Sequence, residues 1–177
     1  MTKRNLSLSS RIFFYMILLV VLASILIAAV TVYQYNEQSQ DYHRKRLERK
    51  EAQLISSINY VLKESSWEIK TENLALIFKD KIYEIANIHN VTFNLYDLKG
   101  DLIKSSKPRL KNDPIPEQLP NYILDTLSQI TSKRFVEKNK LLDGNYRSSY
   151  LILNNPTSKP LGILNVPYFD DDSLNSG

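Results

Sequence analysis

The sequence contains no cysteine, and only four glycines and two histidines stand among its 177 residues. The lack of cysteine excludes disulfide bonds, thiolate metal ligands, cysteine nucleophiles and a lipoprotein attachment site. With so few glycines, there is no glycine-rich loop of the kind that binds nucleotide phosphates. The two histidines, His43 and His89, are too far apart in the sequence to form a metal site by themselves. The residues therefore predict no catalytic set, no metal ion and no organic cofactor.

Charge is absent from residues 12–36, between Arg11 and Glu37. A helix rises about 1.5 Å per residue, so residues 12–33 cover roughly 30 Å, the thickness of a bilayer hydrocarbon core. Aromatic residues lie at both ends of this segment, as is typical of membrane interfaces: Phe13, Phe14 and Tyr15 at one end, Tyr33 and Tyr35 at the other. We predict a transmembrane helix over residues 12–33. The alternative is a cleaved signal peptide, whose apolar part is usually only about 7–15 residues long.

Basic residues lie on both sides of the predicted span. Lys3, Arg4 and Arg11 precede it, and a denser cluster from Arg44 to Lys50 follows it. A count of these charges places the following domain in the cytoplasm. The closeness of the first group to the apolar segment instead favours a cytoplasmic N-terminus at residues 1–11. We expect the second orientation, in which the C-terminal domain lies on the extracytoplasmic side.

Residues 34–65 contain no proline or glycine and are rich in helix-forming residues. Leu47, Leu54, Ile58 and Val61 recur at helical spacing, and Glu51 interrupts them. This pattern predicts an amphipathic stalk helix that packs on the domain, forms a dimer seam or carries a signal. The basic run HRKRLERKE (43–51) contains interleaved glutamates, so we interpret it as a solvated helix face rather than a phosphate or lipid-headgroup site. The net charge of +4 is mild, and we expect no nucleic-acid partner.

The rest of the chain alternates between helical and strand patterns. Helical spacing after Thr71 and after Pro120 predicts two further helices, with Asn90 as the C-terminal cap of the first. Strand patterns and turn residues predict strands over 91–96, 102–106, 134–142, 146–153 and 161–168, with Asp143-Gly144 as a hairpin turn. We predict one α+β domain over residues 66–169, in which helices on one side cover the apolar face of a five-stranded antiparallel sheet.

The order of these elements, together with two segments, resembles a known family. The hairpin VTFNLYDLKGDLIKSS, residues 91–106, is similar to the first two strands of PAS-like sensor domains of the Cache type. The segment YQYNEQSQDYHRKRLERKE, residues 33–51, resembles the anchor and stalk of histidine kinases of the nitrogen-regulation sensor type from the Bacteroidetes group. The resemblance implies a transmembrane helix that continues into a long helix, followed by a PAS-like five-stranded sheet with flanking helices.

By this resemblance, the chain is the signal-input module of a bacterial sensor histidine kinase, with its anchor in the inner membrane and its domain in the periplasm. It carries no kinase core, and neither histidine has the His-Glu/Asp-x-x-x-Pro context of a phosphoacceptor. We therefore expect a fragment whose polar tail, residues 170–177, precedes a second membrane span; the Asp170–Asp172 triplet is interpreted as a solvated spacer rather than a cation site. The expected partners are the lipid bilayer, a second copy bound through the stalk and membrane helices, and an unknown small ligand or envelope protein.

A PAS-like sensor binds its ligand on the open face of the sheet, here under the proline-rich loop and its short helix. We select Tyr96, Arg147, Tyr150 and Tyr168 as candidate pocket residues, with Arg147 as a bidentate partner for a carboxylate. The alternative is that these four are ordinary strand residues. Two other functions stay open: a single-span scaffold of a cell-envelope complex, whose coiled-coil seam lasts only about three heptads here, and an anchored enzyme.

Overall fold

The computed structural model of the chain describes residues 7–108, 115–141 and 144–169. The chain divides into two compact units, Met1–Lys45 and Arg46–Gly177. One helix, α1 (Leu8–Glu64), begins in the first unit and ends in the second. Its residues include no proline or glycine, so nothing in its sequence interrupts the helical hydrogen bonds. The separately predicted membrane and stalk helices are therefore two parts of one element.

The first unit consists of the N-terminal part of α1. Leu8–Gln38 is the one helical segment, among the residues that the structure describes, that is long and apolar enough to cross a membrane. Its large apolar side chains are exposed, with Phe13 at 66% and Leu26 at 66%. The hydroxyls of Ser24 and Thr31 donate to the carbonyl oxygens of Val20 and Ile27 one turn earlier, at 2.9 and 2.8 Å. These features suit a membrane span, although a signal sequence near an N-terminus can meet the same criteria of length and composition.

The second unit contains a five-stranded antiparallel sheet in the order β2-β1-β5-β4-β3. Its strands are β1 (Asn94–Tyr96), β2 (Leu102–Ser105), β3 (Arg134–Leu141), β4 (Gly144–Asn154) and β5 (Pro160–Phe169). Strands β3, β4 and β5 form a meander, while β5 also pairs with β1 and so joins the meander to the first hairpin. The predicted α+β class, with five antiparallel strands and flanking helices, is confirmed.

One face of the sheet packs against helices from the N-terminal side of the chain. These are the last part of α1, α2 (Leu74–Ile77) and α3 (Lys81–His89). The apolar stripe of α1 is buried on this face, with Leu47, Leu54, Ile58 and Leu62 all at most 2% exposed. The sheet-forming unit thus includes residues 46–64, which were predicted to belong to a stalk helix (34–65) before the domain.

The opposite face of the sheet is covered by α4 (Asn121–Gln129) and by the segment that leads into it. Ile123 and Leu127 of α4 pack there with Tyr96, Tyr150 and Ile163 of the sheet. The prediction of helices on one side only is wrong, although the candidate pocket was placed under this same short helix. The central strands carry large side chains at alternate positions on both faces, and each set needs cover.

Several local predictions can be compared with the described residues. Asn90 ends α3 in the left-handed conformation (φ 48°), as predicted for a C-terminal cap. Thr71 does not cap a long helix: its hydroxyl donates to the carbonyl oxygen of Leu161 at 2.6 Å, and a 3-10 turn, α2 and α3 replace that helix. Gly144 lies in β4 and pairs with Leu141, so it is a strand residue. Asp143, the tail 170–177, Lys3 and Arg4 lie outside the described residues.

Candidate functional site: a buried polar cluster on the sheet

The four residues selected from the sequence lie on two different faces of the sheet. Tyr96 and Tyr150 belong to the apolar cluster beneath α4. Tyr168 belongs to the cluster that packs against α1, and Arg147 is directly opposite Tyr168 in the β4–β5 pairing. Residues directly opposite each other in an antiparallel pair point to the same face. The structure therefore brings together Tyr96 with Tyr150 and Arg147 with Tyr168, but it does not bring all four into one pocket.

On the α1 face, Arg147 and Tyr168 lie in a region that is rich in cations. The Lys50 ammonium of α1 is 5.8 Å from the centre of the Tyr168 ring, within the range of a cation–π contact. Burial lowers the pKa of Lys50, and the nearby Arg46 lowers it further. Arg147 is 8% exposed and aligns with Lys138 on β3. This positive region is part of the packing between α1 and the sheet.

On the α4 face, three uncharged polar side chains form a buried cluster across β1, β5 and β4. The Asn94 amide donates to Oδ1 of Asn165 at 3.0 Å, and the Asn165 amide donates to the Ser148 hydroxyl at 2.7 Å. The Asn165 amide also donates to the backbone carbonyl of Ser149 at 3.1 Å. Asn94, Asn165 and Ser148 are at most 3% exposed. We call these three residues the polar cluster.

The polar cluster contains an acceptor without a partner. Oδ1 of Asn94 is buried, and the described structure gives it no hydrogen bond. Leaving such a group unpaired costs about 1–3 kcal/mol, so a native protein usually provides a water or a ligand for it. The three side chains are neutral, and the cluster can therefore bind a hydrogen-bonding group but cannot act as an ionised acid or base.

Aromatic side chains flank the polar cluster on the same face. The Tyr96 hydroxyl donates to the carbonyl oxygen of Pro116 at 2.8 Å and so ties β1 to the proline-rich segment. The rings of Phe135 and Tyr150 stack with their centres 6.3 Å apart and 20° between their planes. A few polar groups within apolar and aromatic surroundings are typical of small-molecule sites.

An edge of this face carries a further polar contact. The Tyr122 hydroxyl of α4 donates to the Glu137 carboxylate of β3. Hydrogen bonding to that carboxylate, with a smaller effect of burial, raises the pKa of Tyr122 to about 12. The contact holds α4 against the edge strand and keeps Tyr122 in its neutral form.

On the other face, a largely buried ion pair joins α1 to β3. Arg134 donates from Nε to Oε2 of Glu51 at 2.8 Å and from its second guanidinium nitrogen to Oε1 at 3.1 Å. The side chain of Glu51 is 4% exposed and that of Arg134 is 27% exposed. Hydrogen bonding to Glu51 raises the pKa of Arg134. Glu51, which interrupts the apolar stripe in the sequence, thus binds α1 to the edge strand.

A groove of about 490 Å³ lies between the last turns of α1 and the end of β4. Its lining includes the apolar side chains of Ile55, Leu62 and Leu153 and the exposed polar residues Asn59 and Lys63. The ligand pocket expected from the sequence was placed under the proline-rich loop, so this groove is a separate feature. Among the described residues, no group of three or more potential metal ligands occurs together.

Comparison with known proteins adds no assignment. No model of a known protein family matches the chain, and no curated protein matches it in sequence.

Proposed function

We propose that this chain is the signal-input module of a membrane-bound bacterial sensor histidine kinase. In this proposal, the anchor lies in the inner membrane, the PAS-like sheet domain lies in the periplasm, and two copies pair through their membrane and stalk helices. The observation that carries it is the extent of α1. One helix contains both the candidate span, Leu8–Gln38, and the residues that form the core of the sheet unit. A change in the packing of the sheet therefore acts on the same helix that would enter the bilayer.

The polar cluster is the proposed place of signal detection. It lies on the same face of the sheet as α4, next to Tyr96 and Tyr150 in the strand register, and it holds the unpartnered acceptor of Asn94. A small uncharged molecule with a hydrogen-bond donor would satisfy that acceptor and pack against the neighbouring rings. An arginine clamp for a carboxylate finds no support on this face, because Arg147 points to the other one.

The scaffold function is less well supported by the structure. A coiled coil needs an apolar seam that is available to a partner helix. Leu47, Leu54, Ile58 and Leu62 are instead buried within the sheet unit of their own chain. The described stripe of α1 is therefore already occupied, so a second copy of the chain would pair through the membrane segment and through the other side of the stalk.

The first test concerns the gene and its product. A reading frame that continues past Gly177 into a second apolar span and a histidine-kinase core is expected, and a natural stop codon there would refute the proposal. In the longer product, two glycines inserted after Ser39 should uncouple autophosphorylation from the state of the domain, because they break the helix between anchor and sheet. An insertion that leaves the regulation intact would refute transmission through α1.

The second test concerns the site. The full chain in lipid nanodiscs is screened by thermal unfolding against small uncharged polar metabolites. A true ligand should raise the unfolding midpoint of the wild type and should lose this effect in the Asn94→Leu variant. Asn154→Leu, at an exposed position of β4, is the matched control and should respond like the wild type. A ligand that stabilises all three proteins equally would place the site elsewhere.

A further inference from the structure

The connection between α4 and β3 passes from one face of the sheet to the other within a few residues. Leu127, near the end of α4, is buried against Tyr96 and Tyr150. Arg134, the first residue of β3, aligns with Leu151 and points to the α1 face, where it binds Glu51. The connection therefore runs around the edge of the sheet, beside a strand that has a neighbour on only one side.

Lys133 fixes this connection to the last turn of α4. Its ammonium donates to the carbonyl oxygens of Leu127 and Ser128 at 3.4 and 2.9 Å, which are C-terminal carbonyls of the helix. The backbone of Lys133 has a φ of 53°, in the left-handed region that non-glycine residues adopt at a cost of roughly 1–2 kcal/mol. Its carbonyl oxygen accepts a hydrogen bond from the backbone of Ile152 at 3.1 Å. The residue next to the ion pair is thus held by α4 and by β4 together.

Arg134 then joins this connection to α1. Its two hydrogen bonds to Glu51 are directional, and the carboxylate that receives them is almost completely buried. The exposed pair Lys81–Glu84, by contrast, joins two residues of a single helix. Glu51–Arg134 connects elements that are 83 positions apart in the chain, so it fixes the position of α1 relative to the edge strand.

We propose that Lys133 and Arg134 form a mechanical link that carries a displacement of α4, on one face of the sheet, to Glu51 of α1 on the other. This inference rests on the proposed function, which says what the signal is. It deepens that function by naming the residues through which the signal passes from α4 to α1. Arg134 and Glu51 are positioning residues here and do not contact the proposed ligand. Bidentate pairing suits this role, because two parallel hydrogen bonds fix the relative orientation of the two side chains as well as their separation.

The absence of cysteine allows a direct test in the full chain. Spin labels are attached to cysteines introduced at Arg49 and Lys159, two exposed positions on α1 and on the turn before β5. Their distance distribution is measured in nanodiscs by pulsed dipolar spectroscopy. Leu127→Ala creates a cavity under α4 and lets that helix move. We expect it to shift the α1-to-turn distance by ~1–2 Å or to broaden its distribution, as helix shifts in signalling proteins do.

The same measurement is then made with the ion pair removed. In the double variant Glu51→Gln, Arg134→Gln, the Leu127→Ala change should no longer alter the distance distribution. Ile115→Ala is the matched control, because it removes a similar side chain from the same apolar cluster but lies before α4. It should leave the distance unchanged in both backgrounds. If Leu127→Ala unfolds the domain, Leu127→Val supplies a smaller cavity with the same expected pattern.

Two outcomes with the Leu127 variants would overturn the link. One is a Leu127 variant that folds but never alters the position of α1, and the other is an alteration that persists without the ion pair. A response to Ile115→Ala as large as that to Leu127→Ala would also contradict it, since the effect would then come from general loosening of the cluster. None of these results depends on a ligand or on a kinase, so the link can fail while the proposed function stands, and the reverse is also true.

Discussion

The ion pair between Glu51 and Arg134 gives the sharpest prediction on stability. Removal of one partner of a buried pair costs about 3–5 kcal/mol when the remaining charge stays buried. The two side chains are not equally buried: that of Glu51 is 4% exposed and that of Arg134 is 27% exposed. Arg134→Gln leaves a carboxylate in the core and should lower the free energy of unfolding by about 2–4 kcal/mol. Glu51→Gln leaves a guanidinium that can reach water and should cost only about 1–2 kcal/mol.

The assay is urea unfolding of the full chain in nanodiscs, followed by circular dichroism and by the fluorescence of Trp67, the one tryptophan of the sequence. The double variant Glu51→Leu, Arg134→Leu should lie within about 1 kcal/mol of the wild type, because an apolar pair avoids the desolvation of two charges. Lys81→Gln provides the exposed control. Its pair with Glu84 is solvated on both sides and should contribute no more than about 0.5 kcal/mol. Equal costs for Arg134→Gln and Lys81→Gln would refute the reasoning from burial.

Three further predictions concern single contacts. A Cβ added at Gly162 would lie 2.8 Å from the backbone oxygen of Tyr96, so Gly162→Ala should lower the free energy of unfolding by about 1–3 kcal/mol; unchanged urea unfolding would contradict that close approach. Hydrogen bonding to Glu137 raises the pKa of Tyr122 to about 12, so this tyrosine should ionise near that pH in an ultraviolet absorbance titration. Glu137→Gln should bring the pKa of Tyr122 back toward about 10. A titration that this substitution leaves unaltered would exclude the contact in solution. Burial, and to a smaller extent a neighbouring arginine, lowers the pKa of Lys50, so the folded state binds fewer protons than the unfolded state as the pH nears about 10. The free energy of unfolding of the wild type should therefore rise with pH relative to that of Lys50→Met. Parallel pH profiles of the two proteins would contradict this sign.

The sequence predicts the elements of this fold better than it predicts their faces. Periodicity places the strands and the apolar stripe of α1 because each pattern is local. Phe93 and Leu95 alternate with Asn94 and Tyr96, a pattern that predicts a strand with one exposed face. The structure buries Asn94 and Tyr96 as well, and Tyr96 packs with α4 and the segment before it. The polar cluster was missed for the same reason. Asn94 and Asn165 become neighbours only through the pairing of β1 with β5, which a single sequence does not reveal.

Glu51 shows how a local pattern can be interpreted in the wrong sense. A charge within an apolar stripe interrupts a coiled-coil seam, and that was the basis for expecting a weak seam in the stalk. The structure gives the charge a partner on β3 instead, and this makes the position informative about register. A shift of α1 by one helical turn along the sheet would place Leu47 or Ile55 opposite Arg134 and would leave Glu51 against apolar side chains. Each such register would contain a buried charge without a partner, at a cost of several kcal/mol, whereas a purely apolar stripe would tolerate the shift. We therefore expect Glu51→Leu, Arg134→Leu to keep its stability but to broaden the Arg49-to-Lys159 label distances, and a distribution as narrow as that of the wild type would refute a role for the pair in setting the register.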